Sequence, residues 1–213
     1  MVGPSSSHTA GACFIGLITR HIFNAQPTKI HIKLHGSFGQ VYKGHGTDKA
    51  LIAGLLKMTP YDINLAKSFD IAHEKGIDFT FESCNLGDVH PNTALIEIEN
   101  KNKKITVQGE SIGGGKCRIT EVDKIPIIFG PERSCVIVKY KSENQLLPEI
   151  IEIIQGKGYN IVAVESPSYK DRNLAVIEIR ENYDESIVNE IKKLNGVIWA
   201  SYINHFSHYN QQY

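Results

Sequence analysis

The sequence predicts an α+β chain of two units, and three observations carry that prediction. Helical patterns prevail up to residue 76, interrupted by one strand. Strand alternation takes over from residue 78 to 129. Residues 134–213 then run through a β-α-β-β-α-β order of elements. The segment Gly130-Pro131-Glu132-Arg133 has the composition of a linker. It divides the chain into a first domain over 1–130 and a second over 134–213.

The elements follow in order. Residues 10–24 predict a helix, with Ala12, Ile15, Gly16, Thr19 and Phe23 on one side. Cys13, Leu17 and Ile18 widen that side, so the helix is expected to be buried on most faces. Residues 28–35 alternate, with Ile30, Ile32 and Leu34 on one face and His31, Lys33 and His35 on the other, the pattern of a half-buried strand. Residues 36–46 are punctuated by glycine and read as a loop. Thr47 or Asp48 is placed to cap a helix through Ala50, Leu51 and Leu55 that ends before Pro60. A short helix over 65–74 stops at Gly76. Strands are expected over 79–81, 93–99, 104–108, 116–122 and 125–129, the second and third joined by the Asn100-Lys101-Asn102-Lys103 turn.

In the second domain, strands over 135–140, 160–166, 174–179 and 197–203 enclose helices over 146–156 and 186–194. That order is the split-βαβ, ferredoxin-like one. It predicts a fold and says nothing of function.

Composition narrows the function classes. The chain has 213 residues, 41% of them hydrophobic, enough for a substantial core. Its 23 basic residues equal its 23 acidic ones, and neither half is a basic surface, which argues against nucleic acid and anionic membrane as partners. No apolar run approaches the roughly 18 residues of a membrane span, and no signal peptide stands at the start, so the expected location is cytoplasmic. Cys13, Cys84, Cys117 and Cys135 are far apart and form no C-x-x-C pair. They are expected to be reduced and mostly buried, with no zinc or iron–sulfur signature and no metal site within this chain.

Several constellations carry chemistry. Gly3-Pro4-Ser5-Ser6-Ser7-His8-Thr9-Ala10-Gly11-Ala12 stands at a helix start, where free backbone N–H groups and hydroxyls make an anion site. A plain capping segment with solvated serines is the alternative. Gly44-His45-Gly46-Thr47-Asp48 presents an imidazole suited to proton transfer near neutral pH, or is a surface loop with a capping aspartate. His35-Gly36-Ser37 places a further histidine near it. Ser111-Ile112-Gly113-Gly114-Gly115-Lys116 lacks both the spacing and the following helix of a phosphate loop, and reads as a bulge or a close backbone approach. His90-Pro91-Asn92-Thr93 reads as a polar turn. His205 and His208 read as part of a solvated tail rather than a metal pair.

Taken together, Gly3 through Ala12, His35-Gly36-Ser37-Phe38, Gly44-His45-Gly46-Thr47-Asp48-Lys49-Ala50-Leu51 and Ser111-Ile112-Gly113-Gly114-Gly115 resemble the β subunit of bacterial iron–sulfur-dependent L-serine dehydratase. The resemblance spans nearly the whole chain, with a β domain followed by an ACT domain. The β domain is also similar to the allosteric substrate-binding domain of some D-3-phosphoglycerate dehydrogenases.

The resemblance implies a lyase that converts L-serine to pyruvate and ammonia. It implies a [4Fe–4S] cluster ligated by a separate α subunit, with one iron acting as Lewis acid on the serine hydroxyl. Roles carried over residue by residue make His45, His8 and Thr47 the catalytic candidates, and Ser5, Ser6, Ser7 and Thr9 the substrate-binding ones. For His45 and His8 both proton transfer and substrate hydrogen bonding are open. Dimerisation through the ACT and β domains is a further expectation. The ACT loop reads Lys141-Ser142-Glu143-Asn144-Gln145-Leu146-Leu147-Pro148 in place of an Asp-x-Pro-Gly type of turn, which implies a role in subunit contact. The alternative function is a non-catalytic regulatory subunit that senses a small carboxylate or amino acid.

Overall fold

The expected first helix forms, and it enters from an unusual start. A π-helical turn over Ser7–Gly11 runs directly into helix α1, Ala12–Phe23. The computed structural model describes residues 7–205, Ser7 by its backbone alone. The chain divides into two compact units, one running to Asp123 with Ile128–Gly130, the other comprising Lys124–Ile127 with Pro131 onward.

In the first unit α1 is buried on most faces, as its apolar pattern requires; even Thr19 and Arg20 are enclosed. Thr19 satisfies its hydroxyl by donating to the Ile15 carbonyl at 2.8 Å. Asn24 takes the left-handed conformation and donates its N–H to the Arg20 carbonyl, ending the helix. Strand β1, Lys29–Leu34, buries Ile30, Ile32 and Leu34 as predicted.

Residues 36–46 are not a loop. Gly36–His45 is a helix, α2. The glycines that suggested a loop are partly packing glycines. At Gly39 a Cβ would meet the Leu34 carbonyl oxygen at 2.7 Å and the Ser83 hydroxyl at 2.5 Å. The helix is held by the wholly buried Phe38, whose N–H donates to the Pro91 carbonyl at 3.3 Å, and by Tyr42 stacked on Phe81 at 5.8 Å. Gly46, at φ 70°, closes α2 and opens α3, Thr47–Leu55. Thr47 and Asp48 therefore do not cap α3. They are its first two residues, Gly46 holds the cap position, and no side chain bonds there.

A 3₁₀ turn, Leu65–Lys67, leads into α4, Ser68–Glu74. Strands β2 (Asp78–Ser83), β3 (Thr93–Glu99), β4 (Lys104–Gly113), β5 (Lys116–Val122) and β6 (Ile125–Phe129) follow. The sheet order is β2-β1-β3-β4-β5-β6, with β1 and β2 parallel and β1-β3-β4-β5 antiparallel. Strand β4 runs past its predicted end at residue 108. Gly109 breaks the alternation because Ile15 of α1 lies over it; a Cβ there would meet Ile15 Cγ2 at 2.8 Å.

Helices α1 and α3 cross in backbone contact. A Cβ on Gly16 would collide with the Leu51 carbonyl, and one on Gly54 would collide with the Cys13 carbonyl and come within 2.6 Å of the Leu17 nitrogen. Each glycine is thus a requirement of the other helix's main chain.

Besides Lys124–Ile127, the second unit comprises β7 (Ser134–Lys141), α5 (Leu147–Gly156), β8 (Ile161–Glu165), the two-residue β9 (Ser168–Tyr169), β10 (Arg172–Ile179), α6 (Glu185–Ile191) and β11 (Val197–Ile203). Its sheet runs β11-β7-β10-β8 and its paired strands are antiparallel. Val136, Val138, Ile150, Ile154, Ile177 and Ile187 belong to its core. The loop after β7 is a 3₁₀ turn, Ser142–Asn144, followed by Gln145 at φ 42°.

None of the four cysteines is joined in a disulfide. Cys13, Cys117 and Cys135 are buried and Cys84 is half-buried. Burial pushes the Cys13 and Cys135 thiols up, away from the thiolate form. Among the described residues no helix is long and apolar enough to cross a membrane.

The two kinds of glycine respond oppositely to substitution. Gly54→Ala drives a methyl group into α1 and is expected to cost about 3 kcal/mol or more of stability. Gly44 has nothing within 4 Å of its would-be Cβ and no positive φ, so Gly44→Ala is expected to stabilise by about 1 kcal/mol through helix propensity. Thermal unfolding of the two variants checks both signs.

Candidate functional site

The candidate site is assembled from three elements, the π-helical turn and, some thirty residues on, the consecutive helices α2 and α3. The π-helical turn supplies His8 and Thr9. Helix α2 supplies Ser37 and Phe38 at its start and His45 at its end, and α3 supplies Thr47 and Asp48. The crossing of α1 on α3 fixes the first of these against the last.

His8 is the hub. Its Nε2 lies 3.0 Å from the Ser37 hydroxyl. Its ring centroid is 5.0 Å from that of His45, at 34° between planes, and 5.6 Å from that of Phe38 at 58°. Burial, and then the charge of His45, hold the His8 imidazole below the usual histidine range. Two imidazoles this close resist double protonation, so the pair carries at most one proton readily. Asp48 is also buried, which raises its carboxyl against the lowering influence of the Lys49 amide that it accepts from at 2.8 Å.

The glycine-rich β4–β5 hairpin belongs to the same region. Ser111 packs against the face of Gly11, where a Cβ would strike the serine side chain, and Gly115 approaches Ala10. The close backbone approach expected for this motif is thus with the π-helical turn. Ser111 donates its N–H to the Asn92 carbonyl at 3.0 Å, and the Pro91 carbonyl accepts from Phe38. The polar turn over 90–93 is therefore tied both to α2 and to the hairpin. Thr93 braces it by donating to the His90 carbonyl at 2.6 Å.

Among the described residues, five buried side-chain atoms have no hydrogen-bond partner. Four of them are here: Thr9 Oγ1, His45 Nδ1, Thr47 Oγ1 and Asn92 Oδ1. The side chains of Thr9 and Thr47 are wholly enclosed. Each such atom costs about 1–3 kcal/mol of desolvation. A fold that concentrates this cost in one place has a set of polar groups arranged for something other than its own stability.

The sequence candidates separate as follows. His8 and His45 come into ring contact; Thr9 adjoins His8 in the π-helical turn and Thr47 follows Gly46 at the start of α3, both wholly buried. Ser5 and Ser6 lie outside the described residues, as does the Ser7 side chain, so the serine run is placed only up to the backbone of Ser7. Because a helical turn already occupies Ser7–Gly11, Thr9 and Ala10 lie inside it rather than at a cap. His35 spends its Nδ1 on the Leu86 amide at 3.1 Å and so anchors the segment after β2. His205 donates its backbone N–H to the Ser134 hydroxyl in the second unit, and His208 lies outside the described residues.

Sequence reasoning named Ser37, Phe38 and Asn92 within motifs but gave them no role in the site. The spacing Phe38, Val41, Tyr42, His45 is a helical i, i+3, i+4, i+7 series. Read as such, it would have placed Ser37 and His45 on one element.

The partnerless hydroxyls give a direct test. Thr47→Val removes a buried, unpaired oxygen and is expected to leave the isolated chain as stable as before, or up to about 2 kcal/mol more stable. If the hydroxyl serves a ligand, the same variant loses ligand-dependent function. A stability loss instead would show that the hydroxyl is bonded within the chain. Chemical denaturation of the wild type and the variant distinguishes these results.

Comparison with known proteins gives the family of the chain. The family model described as "Serine dehydratase beta chain" matches residues 1–74, which include α1, α2 and α3. The chain is 36% identical over 205 residues to the "Probable L-serine dehydratase, beta chain" of Bacillus subtilis (strain 168), covering 95% of this chain and 93% of that protein. It is 35% identical over 207 residues to the "L-serine dehydratase, beta chain" of Peptoniphilus asaccharolyticus, again covering 95% and 93%. The "L-serine dehydratase" of Helicobacter pylori (strain J99 / ATCC 700824) is 37% identical over 170 residues, which make up 68% of this chain and 37% of that protein. With likeness of this extent to two β chains over almost their whole length, the chain belongs to the serine dehydratase β-chain family.

Proposed function

We propose that this chain is the β subunit of an L-serine ammonia-lyase, which converts L-serine to pyruvate and ammonia together with a separate α subunit. The observation that carries the reading is the His8–His45 ring contact, with partnerless buried polar atoms on His45 itself, on Thr9 and Thr47 in the adjoining turns, and on Asn92 in the 90–93 turn. A small zwitterion with a hydroxyl group offers donors and acceptors to such a set.

In this reading His45, whose Nδ1 is uncommitted, moves the proton at the serine Cα. His8, held by Ser37 and Phe38, orients the substrate. Thr9 and Thr47 meet its carboxylate, with the serines of residues 5–7 as further donors. Loss of the Cα proton and the Cβ hydroxyl leaves an enamine, which tautomerises to the imine and hydrolyses to pyruvate and ammonia.

The proposed [4Fe–4S] cluster is assigned to the α subunit. This chain's residues do not fit it. The cysteines are dispersed, three are buried, and among the described residues no group of three or more His, Cys, Asp or Glu side chains is arranged to hold a metal ion. The matched region makes up only 37% of the Helicobacter pylori protein, which supports a second chain as the source of the missing part.

The second unit is read as an ACT domain of ferredoxin-like form, on its element order and the strand order β11-β7-β10-β8. With its loop over 141–148 lacking an Asp-x-Pro-Gly turn, it serves in subunit contact, and dimerisation through both units follows. The working location is the cytoplasm.

The purified chain alone is expected to form no pyruvate. Anaerobic mixing with an α subunit, followed by iron–sulfur reconstitution, is expected to give pyruvate from L-serine, and His45→Ala is expected to lower kcat by about 100-fold or more. Full turnover by His45→Ala would overturn the role of that residue. Saturable serine binding by this chain alone, with no turnover in the mixture, would favour the sensing alternative.

A further inference from the structure

We propose that Ser37 is a positioning residue for His8: its hydroxyl donates to Nε2 and holds the imidazole as the Nδ1–H tautomer.

The geometry supplies the argument. Ser37 is the second residue of α2, a ten-residue helix, and its Oγ lies 3.0 Å from His8 Nε2. The ring is confined on other sides by Phe38, from the same helical turn, and by His45 at the far end of that helix. One helix therefore sets the position, plane and hydrogen bonding of an imidazole carried by a different element. Either direction of the hydrogen bond fits the distance, and the electrostatics select one. The first turn of a helix carries the positive end of the helix dipole, here with the Phe38 N–H already given to the Pro91 carbonyl. A nitrogen lone pair facing that turn is favoured, and an N–H facing it is opposed. Nε2 is thus the acceptor and the ring proton resides on Nδ1.

Protonation of the ring would put a cation beside the same helix end and beside His45. Burial disfavours that cation first, and the charge of His45 adds to it. With His8 fixed as a neutral hydrogen-bond donor, the two histidines are distinguished. His8 presents a proton, and His45 is the member of the pair that can accept one. This division of labour rests on the proposed reaction. The hold of Ser37 on His8 does not.

The test uses the full chain with isotope-labelled imidazole nitrogens, read by NMR above the histidine titration range. The wild type is expected to show His8 protonated at Nδ1 with Nε2 unprotonated. Ser37→Ala is expected to give a mixture of tautomers and a higher His8 titration midpoint, because a hydrogen bond to the neutral form has been lost. Ser37→Thr keeps the hydroxyl and is expected to restore the wild-type spectrum. Unchanged signals from His31 and His73 establish that the variants are folded.

In the mixture with the α subunit, Ser37→Ala is expected to lower kcat about tenfold with KM within about twofold, and Ser37→Thr to recover most of the loss. A His8 proton on Nε2 in the wild type, or a Ser37→Ala spectrum identical to wild type, would overturn the proposal. Altered tautomers with undiminished turnover would overturn its catalytic consequence. If the wild-type mixture never forms pyruvate, the proposed reaction fails, while the spectra still decide the Ser37–His8 relation.

Discussion

The structure of the first unit turns on one steric constraint, the contact of two helix backbones at Gly16 and Gly54. Neither position admits a Cβ, because each faces the main chain of the other helix. Helices that meet through side chains usually lie about 8–10 Å apart, with freedom to slide as those side chains repack. Helices that meet through glycine have much less of that freedom. The crossing of α1 on α3 is therefore both close and specific in register. The two motifs at the amino ends of these helices inherit that register. His8 and Thr9 stand just before α1; His45 ends α2 and Thr47 opens α3, on either side of Gly46.

Around this crossing the remaining parts act as braces. Gly11 lets the β4–β5 hairpin reach the π-helical turn through Ser111, and the same hairpin takes hold of the 90–93 turn through the Asn92 carbonyl. That turn in turn receives the Phe38 amide at the start of α2. The loop of contacts closes on His8. A region braced this thoroughly would be expected to satisfy its own polar groups, yet four buried atoms in it lack partners. Rigidity combined with unsatisfied polarity is what a binding site requires, since the order is present before the ligand arrives. A ten-residue helix with glycine at positions 36, 39 and 44 has poor intrinsic propensity. That α2 nonetheless forms, and carries Ser37 and His45, shows tertiary packing overriding local preference.

Much of this was legible in the sequence. Strands β3, β5, β6 and β11 lie within their predicted bounds, and in β3 and β6 alternation on a sheet with one buried face is the signal. The burial of α1 on most faces was likewise written in its composition. Helix α2 is not legible in the pattern, because its glycines have the signature of a loop. Glycine at 39 is instead required where the helix passes the Leu34 carbonyl. The far half of β4 was lost for the same reason at Gly109, where Ile15 takes the place of a side chain. Of the site, the residues inside recognisable motifs, His8, Thr9, His45 and Thr47, were found. Ser37 and Asn92 stood in motifs without a role, since each acquires its place only through a neighbour distant in sequence, His8 for the one and Ser111 for the other.

The central claim is that the crossing makes His8 and His45 members of a single site. A double-mutant cycle with His8→Asn and His45→Asn, scored on kcat/KM of the reconstituted two-chain enzyme, tests it most directly. Residues acting together on one substrate lose function non-additively, so the double variant is predicted to be little worse than the poorer single variant. Losses that multiply independently would contradict the account, because they would mean that two imidazoles 5.0 Å apart do not share a task.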